Sequence, residues 1–427
     1  MNLSDISSFL LQDLHSLLIP SVTNVLVTIS PIFLAFFLFV IAWNLWVDYV
    51  RSSTFLARKY TLLELKLPKE TFKSPLAMET VLHALHNTSD GSNYTQYWKG
   101  DTRPWFSLEM VSLEGQVKFM IWGEDQRKAG IMNALYAQYP GIEITEREDY
   151  AKSVQFDPKV NRIWAAEFVK TNKDSDAYPI KTYVDYGLDK DPKEEFKIDP
   201  LTHIIEFLGA VKPNQQIWIQ ILIRAHKKEQ RKPGHLFKKT DAYKDAGQAE
   251  VNKILMRDPK TKVAGTKDEA TGFTKLPSIS KGEQDIVENI ERAMTKLPFD
   301  VGIRTLYIAP KDAFEAPFGV GGLISGMKQF NSDSLNGFKP NGDKWHAQFG
   351  GLPWEDYKNI RRNKQGRLAL LAYRRRSFFY TPFPGKPIVL NTEELATIYH
   401  FPGSTAATPN LERVPSKKST APFNLPI

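Results

Sequence analysis

The chain of 427 residues is 42% hydrophobic, 24% charged and 12% aromatic, a composition typical of a folded protein with roughly two or three domains. Cysteine is absent, which excludes disulfides, cysteine nucleophiles, iron–sulfur clusters and zinc sites built on thiolates. The 56 Lys and Arg residues against 48 Asp and Glu residues give a net charge of +8, which favours anionic partners such as nucleic acid or lipid headgroups.

The first predicted element is a membrane-spanning helix. Residues 22–47 carry no charged side chain, and as a helix they would extend about 39 Å, enough to cross a hydrocarbon core of about 30 Å. We therefore predict a transmembrane helix over residues 22–50, with Trp43 and Trp46 at its interfacial end. Residues 1–21 either form an amphipathic helix on the outer leaflet or extend the membrane helix.

Charge predicts the orientation of this helix. Residues 1–50 contain no Lys or Arg, whereas five basic residues occur from Arg51 to Lys69. The positive-inside rule then places the N-terminus outside the inner (cytoplasmic) membrane and the bulk of the chain in the cytoplasm. A cleaved signal peptide is not expected, because the segment lacks a basic start and its apolar run is too long.

The pattern of residues 55–155 predicts a first α+β module. Alternating apolar residues indicate strands, apolar residues at helical spacing indicate helices, and Leu113-Glu114-Gly115 marks a hairpin turn. The predicted elements are a strand at 62–67, a helix at 76–85, strands at 105–111 and 117–122, a helix at 125–138 and a strand at 142–145. This β-α-β-β-α-β order is that of a ferredoxin-like module.

A similar pattern recurs in residues 156–312, which we interpret as a second copy of the module with a polar insertion at 227–281. Asp199-Pro200-Leu201 repeats the helix start at Ser74-Pro75-Leu76. The predicted elements are strands at 163–169, 180–184, 218–224 and 301–308, and helices at 199–208, 241–256 and 284–294. The predicted fold class is therefore α+β, with an N-terminal transmembrane helix, tandem ferredoxin-like modules and a basic, Pro-rich C-terminal tail.

The C-terminal part is predicted to be less regular. Residues 313–390 are rich in glycine, aromatic and basic residues, with a strand expected at 367–373 and a glycine turn within 319–328. Residues 391–427 begin with a capping-box pattern, Asn391 followed by Glu394, which predicts a short helix. The chain then continues as an extended linker.

No chemical motif predicts catalysis. The glycine cluster lacks the Gly-Lys-Ser/Thr ending of a phosphate-binding loop, the eight histidines show no metal-ligand spacing, and no Gly-x-Ser-x-Gly motif occurs. We therefore expect no catalytic residue, no metal ligand and no cofactor.

Two basic runs contain the candidate functional residues. Residues 224–239 and 361–376 each hold seven Lys or Arg, and Phe378, Phe379 and Tyr380 follow the second run. This mixture suits phosphate contacts with base stacking, or an anionic membrane surface, whereas a solvated face with ordinary strand aromatics is the alternative. The candidate nucleic-acid- or anion-binding residues are Arg224, Lys227, Lys228, Arg231, Lys232, Arg361, Arg362, Lys364, Arg367, Arg374, Arg375 and Arg376.

Several strings of the sequence together resemble one family of membrane-anchored bacterial proteins. They are Tyr60–Glu70, Lys73–Glu79, Tyr97–Gly100, Gly115–Phe119, Gln216–Arg224, Glu393–Pro402 and Pro422–Pro426. The chain resembles the N-terminal region of type IV secretion coupling-protein-like ATPases of the HerA/FtsK class from uncultivated bacteria. In that family a motor domain follows the Pro-x-Asn-Leu-Pro segment. This chain ends at Ile427, so the resemblance carries over no Walker motif and no ATP site.

The resemblance implies a non-catalytic, single-pass membrane protein that anchors or assembles a DNA- or protein-translocating ATPase, as in type IV secretion or conjugation. Its expected partners are the lipid bilayer, a motor ATPase on a separate chain, and DNA. It would be a homo-oligomer if it follows a hexameric motor. A free-standing, membrane-tethered protein that binds nucleic acid or anionic lipid is the alternative, because the basic runs alone would serve either role.

Overall fold

The computed structural model of the protein describes residues 3–68, 73–172, 175–189, 199–227, 230–231, 239–255, 279–342, 356–402, 411 and 413–414. The chain divides into two units. Unit 1 comprises residues 1–57 and 90–102, and unit 2 comprises residues 58–89 and 103–427.

Helices and strands alternate along most of the described chain. In chain order the first are α1 (Leu3–Ala57), β1 (Tyr60–Pro68), α2 (Leu76–Leu85), α3 (Asn93–Trp98), β2 (Trp105–Leu113), β3 (Gln116–Glu124), α4 (Lys128–Gln138), β4 (Glu143–Arg147), α5 (Tyr150–Ser153) and β5 (Asn161–Lys170). They are followed by α6 (Pro200–Gly209), β6 (Gln216–Ala225), β7 (Gln230–Arg231), β8 (Lys239–Thr240), α7 (Ala242–Ile254), α8 (Lys281–Thr295), β9 (Pro298–Pro310), α9 (Ala316–Lys328), β10 (Phe338–Pro340), α10 (Ile360–Arg374), β11 (Ile388–Asn391), α11 (Thr392–Ile398) and β12 (Arg413–Val414).

Unit 1 is built on one long helix. Because α1 runs without a break from Leu3 to Ala57, the segment before residue 22 extends the predicted membrane helix and forms no separate helix. Its part from Ile29 to Ala57 is long and apolar enough to cross a membrane, and no residue of its most apolar 18-residue stretch is buried. Val47 and Val50, towards the end of this part, are buried. An N-terminal signal sequence shares this length and composition.

Unit 2 is organised around one large, mainly antiparallel sheet packed with helices, which confirms the predicted mixture of helices and strands. Ten of the described strands belong to it, with β10-β5-β9-β6-β2-β3-β1-β12 as the main order, β4 on β1 and β11 on β9. All of these pairs are antiparallel except the short β1–β12 pair. The sheet has two halves, β4-β1-β3-β2 and β10-β5-β9-β6, joined where residues 105–113 of β2 pair with residues 216–224 of β6.

Local sequence signals fix several of these elements as predicted. The β2–β3 hairpin turns at Glu114 and Gly115, which both have positive φ, as a two-residue hairpin turn with the twist of a sheet requires. Asp199 caps α6 through the backbone N–H of Leu201. The capping box predicted at the start of α11 is present.

The sheet buries both of its faces. On one face, alternate strand residues such as Leu108, Ile219 and Ile303 form a continuous core with apolar side chains of α2, α4, α6, α9 and α11. This burial is the main stabilising contribution of unit 2, since each fully buried aliphatic side chain contributes about 1.5–3 kcal/mol.

The opposite face carries a polar row. Glu109, Gln220, Arg304 and Glu167 stand directly opposite one another across β2, β6, β9 and β5. Helix α10 covers this row: Arg304 Nη1 donates to the Ala372 carbonyl at 3.3 Å, and Gln220 Nε2 donates to the Tyr373 carbonyl at 3.2 Å.

Two expectations for the C-terminal part were wrong. The strand expected at 367–373 lies in α10, where Leu370 and Tyr373 are buried at helical spacing. The glycine turn expected within 319–328 lies in α9, where Gly319 lets the helix approach β9 so closely that a Cβ would lie 2.3 Å from the ring of Tyr307.

The strand expected at 180–184 was also wrong. This segment is irregular, and its N–H groups donate to side chains as well as backbone: Ile180 donates to Glu394, Thr182 to Asp185 and Tyr183 to Thr397.

In the polar insertion, the predicted helix is confirmed as α7, while residues 228–229, 232–238 and 256–278 lie outside the described residues. Most of the predicted tail beyond residue 402 also lies outside them.

Candidate anion-binding surface

Helix α10 carries the second basic run. Its sequence contains no acidic residue, and at its start the Asp356 carboxylate accepts hydrogen bonds from the N–H groups of Arg361 (2.8 Å) and Arg362 (3.1 Å). Ala369 and Tyr373 are buried on its inner side. The helix is therefore fixed at its start by a capping carboxylate and along one side by packing, which leaves the other side facing solvent.

Four cations on the outer side form what we call the basic face: Arg361, Lys364, Arg367 and Arg375, all of them exposed. At 100° per residue they fall within an arc of roughly 120°. Among the residues that the structure describes, none of the four side chains has an ion-pair partner. Like charges gathered without counter-charges attract a polyanion such as a phosphate backbone.

Arg362 adds positive charge beside the basic face. Burial, together with the charge of Arg362, lowers the pKa of Arg162 at the start of β5. The guanidinium carbon of Arg162 lies 4.2 Å from the ring centroid of Phe314, which holds it in place. The positive charge of Arg362 therefore adds to the positive potential around Arg162.

Arg376, the last candidate of this run, does not lie on the basic face, because its side chain is only 1% exposed. Its guanidinium donates two hydrogen bonds to Glu109 (2.9 and 3.1 Å) and two to Asp149 (2.6 and 3.1 Å). Burial opposes its charge, but the two carboxylates outweigh burial and hold the pKa of Arg376 above its usual value. Arg374 is half-buried and donates to the Ala151 carbonyl at 2.7 Å. These two arginines hold α10 and α5 in place, and only Arg375 of this triplet is available to a partner.

Two tyrosines complete the network around Glu109. The Tyr150 hydroxyl donates to Glu109 Oε2 at 2.9 Å and lies 2.6 Å from the Tyr373 hydroxyl. Burial, followed by the charge of Glu109, raises the pKa of both tyrosines well above the usual value. Both stay neutral at physiological pH and act as fixed hydrogen-bonding groups.

The first basic run is organised differently. The Arg224 guanidinium donates to Asp300 Oδ2 at 2.6 and 3.1 Å and lies 4.5 and 5.4 Å from the ring centroids of Phe379 and Tyr380. Burial alone would raise the pKa of Asp300, but a hydrogen bond to His226 and the charge of Arg224 lower it. The aromatic rings expected to stack on bases therefore pack on an arginine of the protein itself.

The other candidates of the first run are described only in part. Lys227 is exposed two residues after the end of β6. Arg231 lies in β7, but its side chain is outside the described residues, as are Lys228 and Lys232. Arg224 thus has an internal partner, and the basic face of α10 is the described candidate surface.

A buried charge cluster between α2, α8 and α11 was missed by sequence reasoning. Glu79 Oε1 accepts a hydrogen bond from Lys296 at 2.7 Å, and Glu393 Oε1 accepts hydrogen bonds from Thr182 and Arg292 at 2.6 and 3.2 Å. Burial raises the pKa of Glu393. No local pattern marks these residues, because their partners come from distant parts of the sequence.

Within the described ranges, no three His, Asp or Glu side chains are placed to hold a metal ion.

Comparison with known proteins places the chain in a family. A model of the family described as "Domain of unknown function (DUF8128)" matches residues 54–413, which covers both halves of the sheet and the basic face. A comparison with curated proteins gives no match. The chain is therefore a member of the DUF8128 family.

Proposed function

We propose that this protein is a non-catalytic, single-pass membrane protein whose α+β body presents the basic face to an anionic polymer. The observation that carries the proposal is the combination of an apolar helix whose most apolar 18-residue stretch is unburied and a helix face with four unpaired cations in the described structure. The first favours a lipid environment and the second favours a polyanion.

The positive-inside rule supports the orientation. No Lys or Arg precedes residue 51, and basic residues follow directly after the apolar stretch. The protein would therefore lie in the inner membrane with its N-terminus outside and unit 2 in the cytoplasm, where DNA is present.

The order of the strands supports the proposal of two ferredoxin-like modules. Each half of the sheet has the order fourth-first-third-second strand: β4-β1-β3-β2 in one and β10-β5-β9-β6 in the other. This is the strand order of a ferredoxin-like β-α-β-β-α-β module. The second half includes α9 and β10, so the proposed second module runs to residue 340 and not to 312, as its sequence pattern suggested.

The partner we propose is DNA handled by a translocating ATPase, which this protein would anchor or assemble at the membrane. The resemblance to the coupling-protein-like ATPases supports this role. Of the strings that carry it, Tyr60–Glu70, Gln216–Arg224 and Glu393–Pro402 include most of β1, β6 and α11 in unit 2, and Tyr97–Gly100 lies in unit 1. A pull-down from detergent extracts would support the role if it recovers a motor ATPase, and recovery of none would argue against it.

The basic face is tested with full-length protein in nanodiscs of zwitterionic lipid. In the test variant, Arg361, Lys364, Arg367 and Arg375 are replaced by Gln. The matched control removes four exposed lysines elsewhere in unit 2: Lys73, Lys244, Lys281 and Lys328. Affinity for a labelled DNA is measured by anisotropy over a range of salt concentrations.

We expect the test variant to bind more weakly and to lose about one unit of salt slope for each cation that contacts a phosphate. Equal binding by the two variants would refute a role for this face. Hydrogen exchange distinguishes DNA binding from lipid binding. Protection of residues 360–374 by DNA supports the proposal, whereas protection only by anionic lipid supports a lipid-binding role.

A further inference from the structure

Within unit 1, the segment from residue 90 to 102 folds back onto α1. Ser92 Oγ accepts a hydrogen bond from Thr95 N–H at 3.3 Å and so caps α3. At the other end, Thr54 Oγ1 of α1 donates to the Lys99 carbonyl at 2.7 Å. Gly100 has a φ of +70°, and a Cβ there would lie 2.7 Å from the Val50 carbonyl oxygen. The close contact between the two backbones therefore depends on this glycine.

This segment brings its aromatic rings against those of α1. The ring of Trp98 lies 6.2 Å from that of Trp43 and 5.7 Å from that of Trp46, and the ring of Tyr97 lies 5.8 Å from Trp43. We call these four residues, together with Tyr94, the aromatic collar. Its outer rings remain uncovered in the protein alone, with Trp98 54% exposed and Tyr94 63% exposed.

The collar lies where α1 changes from apolar to charged. Trp43 and Trp46 precede Arg51, the first basic residue of the chain, by eight and five residues, or about 12 and 8 Å along a helix. At such a boundary in a membrane, hydrocarbon gives way to lipid headgroups. Indole and phenol rings favour this layer because each has an apolar body and a polar tip.

We propose that the aromatic collar is a second membrane contact, in which α3 lies in the headgroup layer of the bilayer that α1 crosses. The inference rests on the proposed membrane span of α1 and adds a binding surface that a single helix would not have. The Lys99 ammonium, 6.0 Å from the ring centroid of Tyr94, lies where it can reach lipid phosphates. A docked collar fixes how deeply α1 sits and how it is rotated about its axis.

The absence of cysteine makes the test direct, because each engineered cysteine is then the only one in the chain. An environment-sensitive fluorophore is attached to Tyr94→Cys in the collar, to Phe36→Cys in the apolar stretch and to Tyr136→Cys on α4, where the wild-type side chains are all exposed. The full chain is reconstituted in phosphatidylcholine vesicles that carry a quencher at a shallow or a deep acyl position.

We expect the Tyr94 label to be quenched mainly by the shallow quencher, the Phe36 label mainly by the deep quencher, and the Tyr136 label by neither. Gly100→Ala should reduce shallow quenching at Tyr94 without changing the Phe36 signal, because the added methyl group displaces the segment from α1. An unchanged Tyr94 signal in this variant would contradict the proposal that packing of residues 90–102 on α1 holds the collar at the membrane.

The two proposals fail in different ways. If the Phe36 label is not quenched, the membrane span itself is wrong. If Phe36 is quenched while Tyr94 behaves like Tyr136, the span stands and the collar is not a membrane contact. A Tyr94 label that is shielded from aqueous iodide but quenched by neither acyl-chain quencher would indicate a protein partner or a second copy. This result would also overturn the inference.

Discussion

Replacing Arg376 by Met should destabilise unit 2 strongly, although the sequence places this arginine in an ordinary basic run. Its guanidinium donates four hydrogen bonds to the carboxylates of Glu109 and Asp149 and a fifth to the Arg374 carbonyl. Methionine keeps much of the side-chain volume but removes the charge. Glu109, which is fully buried, would then lose its cation.

The expected cost follows from this geometry. Breaking a buried ion pair by removing one partner costs about 3–5 kcal/mol, because the remaining charge stays buried without compensation. Glu109 would keep hydrogen bonds from Ser107, Tyr150 and Gln220, so we expect a loss of about 3 kcal/mol, near the lower limit. Replacing Glu109 by Gln in the same chain should recover part of it, since no unpaired charge would then remain at that position.

Denaturant unfolding of the full chain in detergent, followed by circular dichroism, measures the effect. The neighbouring exposed Arg375→Met is the matched control and should change the free energy of unfolding by less than about 0.5 kcal/mol. If Arg376→Met unfolds at the same denaturant concentration as this control, the buried network does not stabilise the protein and the reasoning is wrong.

Two further predictions concern packing and pH. Gly319→Ala should lower the thermal midpoint because its Cβ would lie 2.3 Å from the ring of Tyr307, whereas Gly321→Ala, with nothing within 4 Å, should raise stability by up to about 1 kcal/mol; similar midpoints would show that α9 does not pack as described. Burial alone would lower the pKa of His400, but the charge of Asp199 and the hydrogen bonds that the ring donates to Asp199 and to the Ala396 carbonyl raise it. While Asp199 is ionised, the stabilisation from this pair is therefore complete below about pH 6.5 and should be lost as pH rises through the folded-state pKa of His400. His400→Asn should abolish this alkaline decline in thermal midpoint, and an unchanged decline would contradict the assignment.

Much of the fold is predictable because its signals are local. The turn at Glu114-Gly115, the cap at Asp199 and the capping box at Asn391 each depend on residues close together in sequence, and all three are present. Apolar alternation likewise predicts the long central strands. Helix α10 was missed because a run of Leu and Ala with a buried Tyr also fits a strand.

The candidate site was predictable only in outline. A basic run shows that positive charge is present, but it cannot show which arginine faces inward. Glu109 and Asp149, the carboxylates that pair with Arg376, lie 267 and 227 residues away in sequence. The aromatic collar was missed for the same reason, because Trp98 meets Trp46 only after the intervening chain has folded.

The pairing of β2 with β6 determines whether the two halves of the sheet can be produced as separate fragments. The two strands pair over residues 105–113 and 216–224 and are buried on both faces for nearly their whole length. A fragment containing one half would expose a long apolar strand with a row of unsatisfied N–H and C=O groups, which other chains readily extend. Such a fragment should precipitate or pair with a second copy. The two halves should therefore be expressed and purified on one chain.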